Sequence, residues 1–231
     1  MIVLITPTGG RPKQFELCVQ WMKRQTYTGK VVWIVVDDCV PITTDIITED
    51  FREKWHIIKR QPKPVWRKGL NTQGRNLQVG VNIVKAFPQE WIEAIFIIED
   101  DDYYRPTYLE TMVKALQGFS LAGEVKTVYY NVNNRSFKIN SNTAHTSLFQ
   151  VCFAPNVIPA FESCFGDKFI DVNFCKKINN KNLFESVQLS IGIKGLPGRA
   201  GIGKGHVLKG TPDSDLKKLK ELLGQDYKYY V

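Results

Sequence analysis

The sequence predicts an α/β fold: a mostly parallel central sheet flanked by helices, with a small antiparallel extension in the second half. Three observations carry this. Apolar, β-branched runs alternate with segments of helical periodicity over the first hundred residues. Two of those runs end in clustered carboxylates. Beyond residue 117 the helical spacing gives way to short strand-like runs separated by turn residues.

Residues 2–6 are a short apolar run closed by Pro7-Thr8-Gly9-Gly10, which reads as a buried strand ending in a turn. Pro12 suits a first helical position, and Phe15, Cys18, Val19 and Met22 recur at helical spacing through Gln25. Residues 31–36 form an unbroken apolar run, as expected of a parallel strand covered on both faces, and end in Asp37 and Asp38. A short strand is expected at 55–58. Asn71 or Thr72 can cap a helix whose Leu77, Val81 and Val84 form one stripe. Residues 94–98 are a third buried strand, ending in Glu99-Asp100-Asp101-Asp102. Pro106 then starts a helix with Leu109, Met112, Val113 and Leu116 inward. In the second half, strands are expected at 125–132, 136–139 and 147–153, with a hairpin at Asn133-Asn134 and a helix over 165–177. Thr211 and Pro212 are expected to cap a last helix with Leu216, Leu219 and Leu223 on its inner stripe.

Composition narrows the class. The chain has 231 residues, of which 43% are hydrophobic, enough for a sizeable core and too many for a disordered chain. With neither repeat nor linker, a single domain over 1–231 is expected. No apolar run approaches the roughly 18 residues a membrane span needs, and Met1 leads straight into Ile2-Val3-Leu4-Ile5 without a basic region. The five cysteines form no Cys-x-x-Cys pair, so neither a disulfide framework nor a zinc ribbon is suggested, and a reducing cytoplasm is the expected setting. The net charge is +8. Eight basic residues and one acid lie between 52 and 75, and seven basic residues and one acid between 176 and 209. Such stretches are either solvated loops or a surface for a phosphate-rich partner.

The acids at the strand ends are the most informative feature, because ligands of open α/β sheets sit beyond the carboxyl ends of the strands. Four adjacent carboxylates repel one another unless a cation or donors offset them. On an extended chain Asp100 and Asp102 project to one side and can hold a hard divalent cation, Mn2+ or Mg2+, leaving room for two diphosphate oxygens. The plain alternative is an acidic loop before a helix N-terminus. Asp37 or Asp38 can accept hydrogen bonds from a base or a ribose, or can simply shape a turn.

Taken as a series, these pieces resemble the GT-A glycosyltransferases, especially the family-two type. Thr6-Pro7-Thr8-Gly9-Gly10-Arg11, Val36-Asp37-Asp38, Gly74-Arg75-Asn76 and Asp100-Asp101-Asp102 stand in that family's order and spacing over residues 1–117. The resemblance implies a GT-A, Rossmann-like fold, with a nucleotide-sugar half over 1–117 and an acceptor half over 118–231. It implies that Thr6, Pro7, Thr8 and Arg11 border the nucleotide and that Asp37 or Asp38 contacts the base, usually uracil. Arg75 would lie by the nucleotide or diphosphate, Asp100 and Asp101 by the ribose and donor sugar, and Asp102, with Asp100, at the metal. Inverting members carry a carboxylate at the start of a later helix. Asp171 is the first choice for that base and Asp167 the second. The glycine-rich run around His206 would be a flap, with His206 completing the metal shell and Arg199 and Lys204 neutralising the leaving diphosphate.

The implied reaction is sugar transfer from a nucleoside diphosphate sugar, a UDP-sugar, to a hydroxyl. The chain lacks the Gln-x-x-Arg-Trp motif of processive polymerising members. It also resembles small phage-encoded glycosyltransferases, some of which modify hydroxymethylated pyrimidines in DNA. The two basic stretches, with Trp55, Trp66 and Phe165 near them, suit double-stranded DNA as acceptor; the setting would then be a host cytoplasm. A small-molecule, glycan or protein acceptor is the alternative. A sugar nucleotidyltransferase is a second, although Thr8-Gly9-Gly10-Arg11-Pro12-Lys13 matches its loop only in part. A non-catalytic nucleic-acid-binding protein is a third, which would explain the charge but not the acids.

Overall fold

The computed structural model describes residues 1–40, 44–47, 51–67, 72–186, 188–199 and 210–231. Among them, the strands in chain order are β1 (Ile2–Thr8), β2 (Val31–Asp37), β3 (Trp55–Arg60), β4 (Ala94–Ile97), β5 (Tyr103–Tyr104), β6 (Leu121–Glu124), β7 (Lys126–Asn131), β8 (Ser136–Ser141), β9 (Val151–Phe153), β10 (Lys181–Phe184), β11 (Ser190–Lys194) and β12 (Thr211–Pro212). The α-helices are α1 (Pro12–Lys23), α2 (Gln73–Val84), α3 (Tyr108–Leu116), α4 (Ile158–Glu162), α5 (Ile170–Lys177) and α6 (Lys217–Leu223).

The larger sheet has the order β10-β6-β9-β4-β1-β2-β3, and only β9 runs against the rest. The chain builds outward from β1 to β3, then returns to place β4 on the other side of β1. The crevice between the ends of β1 and β4 is therefore a topological switch point. A smaller sheet has the order β12-β8-β7-β11-β5.

The unbroken apolar runs have a simple cause. Ile2, Leu4, Val31, Trp33, Val35, Ala94 and Phe96 face one core with α1 and α3, whereas Val3, Ile5, Val32, Ile34, Val36, Ile95 and Ile97 face another with α2, α4 and α5. Strands buried on both faces gain nothing from polar alternation. Gly80 lets α2 lie directly on β1, since a Cβ there would stand 2.5 Å from Ile5 Cγ2.

Several expectations need correction. α3 begins at Tyr108 rather than Pro106, because Pro106 O accepts Thr26 N–H and Arg105 N–H goes to Leu189 O. The stretch 147–153 is a buried 3-10 turn, Leu148–Gln150, before the short β9. Of the helix expected over 165–177, only Ile170–Lys177 forms, after the separate α4. Thr211 and Pro212 pair with β8 as β12 rather than capping a helix. Asp213 serves α6 instead, its carboxylate accepting Lys218 N–H at 2.8 Å and Leu219 N–H at 3.0 Å. The short strands β5, β6, β10 and β11 gave no separate signal.

Candidate active site

The acids after β4 do not continue in extended form. The chain turns, with Asp102 N–H donating to Glu99 O at 3.4 Å, so Asp100 and Asp102 do not share one side as the extended reading expected. Asp100 faces β1, accepting hydrogen bonds from the Thr8 hydroxyl and the Arg11 guanidinium. Glu99, Asp101 and Asp102 gather instead, offering one carboxylate oxygen each within 4.8 Å of one another. Gln73, at the start of α2, donates to Glu99 Oε1 at 2.8 Å.

Among the described residues, two cations answer these four acids. Arg11 Nη1 lies 3.5 Å from Asp101 Oδ2 as well as on Asp100. Lys194 Nζ, at the end of β11, lies 3.0 Å from Asp102 Oδ1 and 3.3 Å from Asp101 Oδ2. Asp102 Oδ1 also accepts Ile193 N–H at 2.9 Å, whereas Asp102 Oδ2 is buried with no hydrogen-bond partner among the described residues. Burial pushes Glu99 up to about 7 against the pull of Lys194. It pushes Asp100 up to about 6 against the pull of Arg11, and raises Asp102 likewise. Hard oxygen donors, excess negative charge and an orphaned buried oxygen fit a divalent cation such as Mn2+ or Mg2+.

Beyond β2 a second polar cluster closes around Asp38, which is fully buried. Its carboxylate accepts from the Thr72 hydroxyl, from Asn76 Nδ2 at 2.8 Å, from Arg75 Nη2 at 3.4 Å and from the Arg199 guanidinium. Burial acts to raise the Asp38 pKa, but the bonds from Arg199, Thr72 and Asn76 outweigh it and hold the carboxyl below its usual range. The hydroxyl of Thr72, at the N-cap of α2, is thus spent on Asp38 and caps no backbone N–H. Arg199 also lies over the Trp66 ring, 4.5 Å from its centroid. Asp37, also buried, accepts Cys39 N–H at 3.1 Å.

The remaining expected residues divide. Thr6 lies within the core, its hydroxyl accepting Trp33 Nε1–H at 2.9 Å, and Pro7 is buried beside it. Lys204 and His206 lie outside the described residues. Asp171 sits in the first turn of α5, accepting Val172 N–H at 2.9 Å; burial raises its pKa, and its charge adds to the upward push on Glu99. Asp167 Oδ2 accepts from Asn173 Nδ2 at 2.8 Å. Gly74 brings this stretch against α2, since a Cβ there would stand 2.0 Å from Phe165 O. Trp55 packs in the core against Trp33 and Phe51.

Sequence reasoning missed three partners. Lys194 lies in a glycine-flanked run and gave no signal of its own. Gln73, next to the expected cap, carries no charge to draw notice. His145, which stands in no motif, is close enough to pull the Asp171 pKa down against the larger effect of burial.

No protein-family model matches the chain, and no curated protein matches it. Solved structures do. S. aureus TarS superimposes with a TM-score of 0.61 at 16% identity over 83% of this chain and 36% of that one. Residues 1–349 of S. aureus TarS in complex with UDP give 0.61 at 15% identity, over 99% of this chain and 72% of that one. The complex of the same segment with UDP-GlcNAc gives 0.62 at 15% identity, over 99% and 73%. The chain thus spans about a third of the first of these structures. At such identities the likeness is one of fold: the mostly parallel sheet flanked by helices, with its antiparallel part.

Proposed function

We propose that this protein is a glycosyltransferase that moves a sugar from a uridine diphosphate sugar to a hydroxyl, with inversion at the anomeric carbon. One observation carries the reading: the ends of β1, β2 and β4 bring Thr8, Asp38 and a gathered acid cluster to one switch point. The likeness to a fold solved with UDP and with UDP-GlcNAc supports it.

The roles follow from chemistry. Asp38, with Arg75 and Arg199 on it, takes the base end of the nucleotide, and Asp37 lies beside it. Thr8 and Arg11 orient Asp100 toward the ribose and donor sugar. Glu99, Asp101 and Asp102 would hold Mn2+ or Mg2+, which when bound offsets charge on the departing diphosphate. Lys204 and His206 are assigned to the diphosphate and the metal shell from the sequence alone. Asp171 takes the proton of the incoming hydroxyl, and burial that raises its pKa makes it a stronger acceptor. Asp167 is the second choice.

For the acceptor we take a hydroxymethylated pyrimidine in duplex DNA. Arg60, Lys63 and Arg67 are exposed near the end of β3, on the Asp38 side. Not all of the basic excess is free for this, because Lys194 and Arg199 are held by acids.

The test is a panel of UDP-sugars with Mn2+, reading UDP release with and without hydroxymethylated DNA, beside calorimetric binding of UDP. UDP binding and sugar-dependent UDP release are expected, and failure to bind any nucleoside diphosphate overturns the reading. Failure to retain hydroxymethylated DNA at low ionic strength removes the DNA acceptor alone.

A further inference from the structure

Lys194 holds an unusual position. β11 pairs antiparallel with β5, with Ser190 opposite Tyr104 and Ile191 opposite Tyr103. β5 follows directly on the acids, so this register carries Lys194 back over them. The residue is only 8% exposed. Its ammonium has three N–H donors. Asp101 and Asp102 receive it on one side, and the Tyr129 ring lies 5.9 Å away on another. Those two carboxylates also belong to the gathered cluster of Glu99, Asp101 and Asp102. An ammonium and a divalent cation therefore contest the same two carboxylates.

Resting on the metal and diphosphate reading above, we infer that Lys194 is a resident counter-ion that a divalent cation must displace, and that the incoming diphosphate receives it. The charge count supports this. Among the described residues, Arg11 and Lys194 are the cations ion-paired with these acids, so the acids outnumber their cationic partners there. A cation arriving alone meets the Lys194 charge across shared ligands, and the displaced ammonium gives up its ion pairs with Asp101 and Asp102. A cation arriving with a diphosphate brings a replacement anion. Cation binding is thereby made conditional on nucleotide binding, and the coupling is reciprocal. Lys194 in this account positions the acids and later the diphosphate; it transfers no proton.

The experiment measures Mn2+ affinity by electron paramagnetic resonance or calorimetry, with and without UDP, and needs no turnover. In the unmodified protein Mn2+ binds weakly alone and about tenfold or more tightly with UDP. In Lys194→Met, Mn2+ alone binds about tenfold more tightly than in the unmodified protein, and the gain from UDP shrinks. Lys194→Gln, which keeps a donor for Asp101 and Asp102 without the charge, is expected to behave the same way and guards against a folding defect. If either variant binds UDP but its Mn2+ affinity is unchanged or weaker, the inference falls while the nucleotide reading stands. If the unmodified protein binds neither UDP nor Mn2+, both fall. A crystal of the unmodified protein with Mn2+ and UDP decides independently of any variant. Lys194 Nζ within hydrogen-bond reach of a phosphate oxygen is the expected result. Nζ still seated on Asp101 and Asp102 beside a bound cation overturns the inference.

Discussion

Gly9 and Asp38 are fitted to each other: a Cβ on Gly9 would stand 2.2 Å from Asp38 Oδ1, and Gly9 itself holds a φ of +149°. The turn after β1 can pass the carboxylate after β2 only without a side chain. Gly9→Ala is expected to add backbone strain of about 1–3 kcal/mol and to push Asp38 off its partners. Chemical denaturation reads the first effect and UDP calorimetry the second. A variant with unaltered stability and UDP affinity would show that the fit is loose.

Gly74 makes a similar approach on the acceptor side, where a Cβ would lie 2.0 Å from Phe165 O. The obstacle is backbone, which cannot rotate away. Gly74→Ala is expected to destabilise the fold by about 1–3 kcal/mol and to lower kcat more than it raises the donor KM, because the stretch leading to Asp171 moves. Urea unfolding and steady-state kinetics check both.

Asp171→Asn removes the proton acceptor while keeping the side-chain shape and the bond from Val172 N–H. The expected loss is about 10²–10⁴ in kcat with donor affinity retained. Asp167→Asn is the paired control, and a larger loss there would reassign the base.

The acids also set a pH dependence. Glu99 moves from its ordinary 4.5 to about 7, and Asp100 from 3.8 to about 6. The folded chain keeps these protons where the unfolded chain has lost them, so stability falls as pH rises from about 4 to about 7. Asp38 is shifted the other way and contributes stability that is lost on further acidification. Thermal unfolding without divalent cations is expected to give a higher Tm at pH 5 than at pH 7.5. Adding Mn2+ is expected to recover most of the difference. A Tm that climbs steadily to pH 7.5 in a chelator would refute it.

The sequence made the parallel strands legible because burial on both faces writes an unbroken apolar run, as in β1, β2 and β4. Asp38 and the acids after β4 were legible because they follow such runs directly. Lys194 was not, since its meaning depends on β11 pairing with the two-residue β5, and neither strand is long enough to show a period. The side on which Asp100 falls was misread for a local reason: the acids lie in a turn, where strand alternation no longer holds. Asp213 escaped notice as a cap because the chain takes a positive φ at Leu216 before the helix begins.

The acids lie where the larger sheet hands over to the smaller one, since β4 belongs to the first and β5 to the second. Any ligand that clasps Glu99 together with Lys194 or Asp102 therefore rivets two layers that share little other backbone pairing. Loading that corner would add a polar clamp beside the apolar core that the two sheets already share through Val128, Tyr130, Ile191 and Ile193.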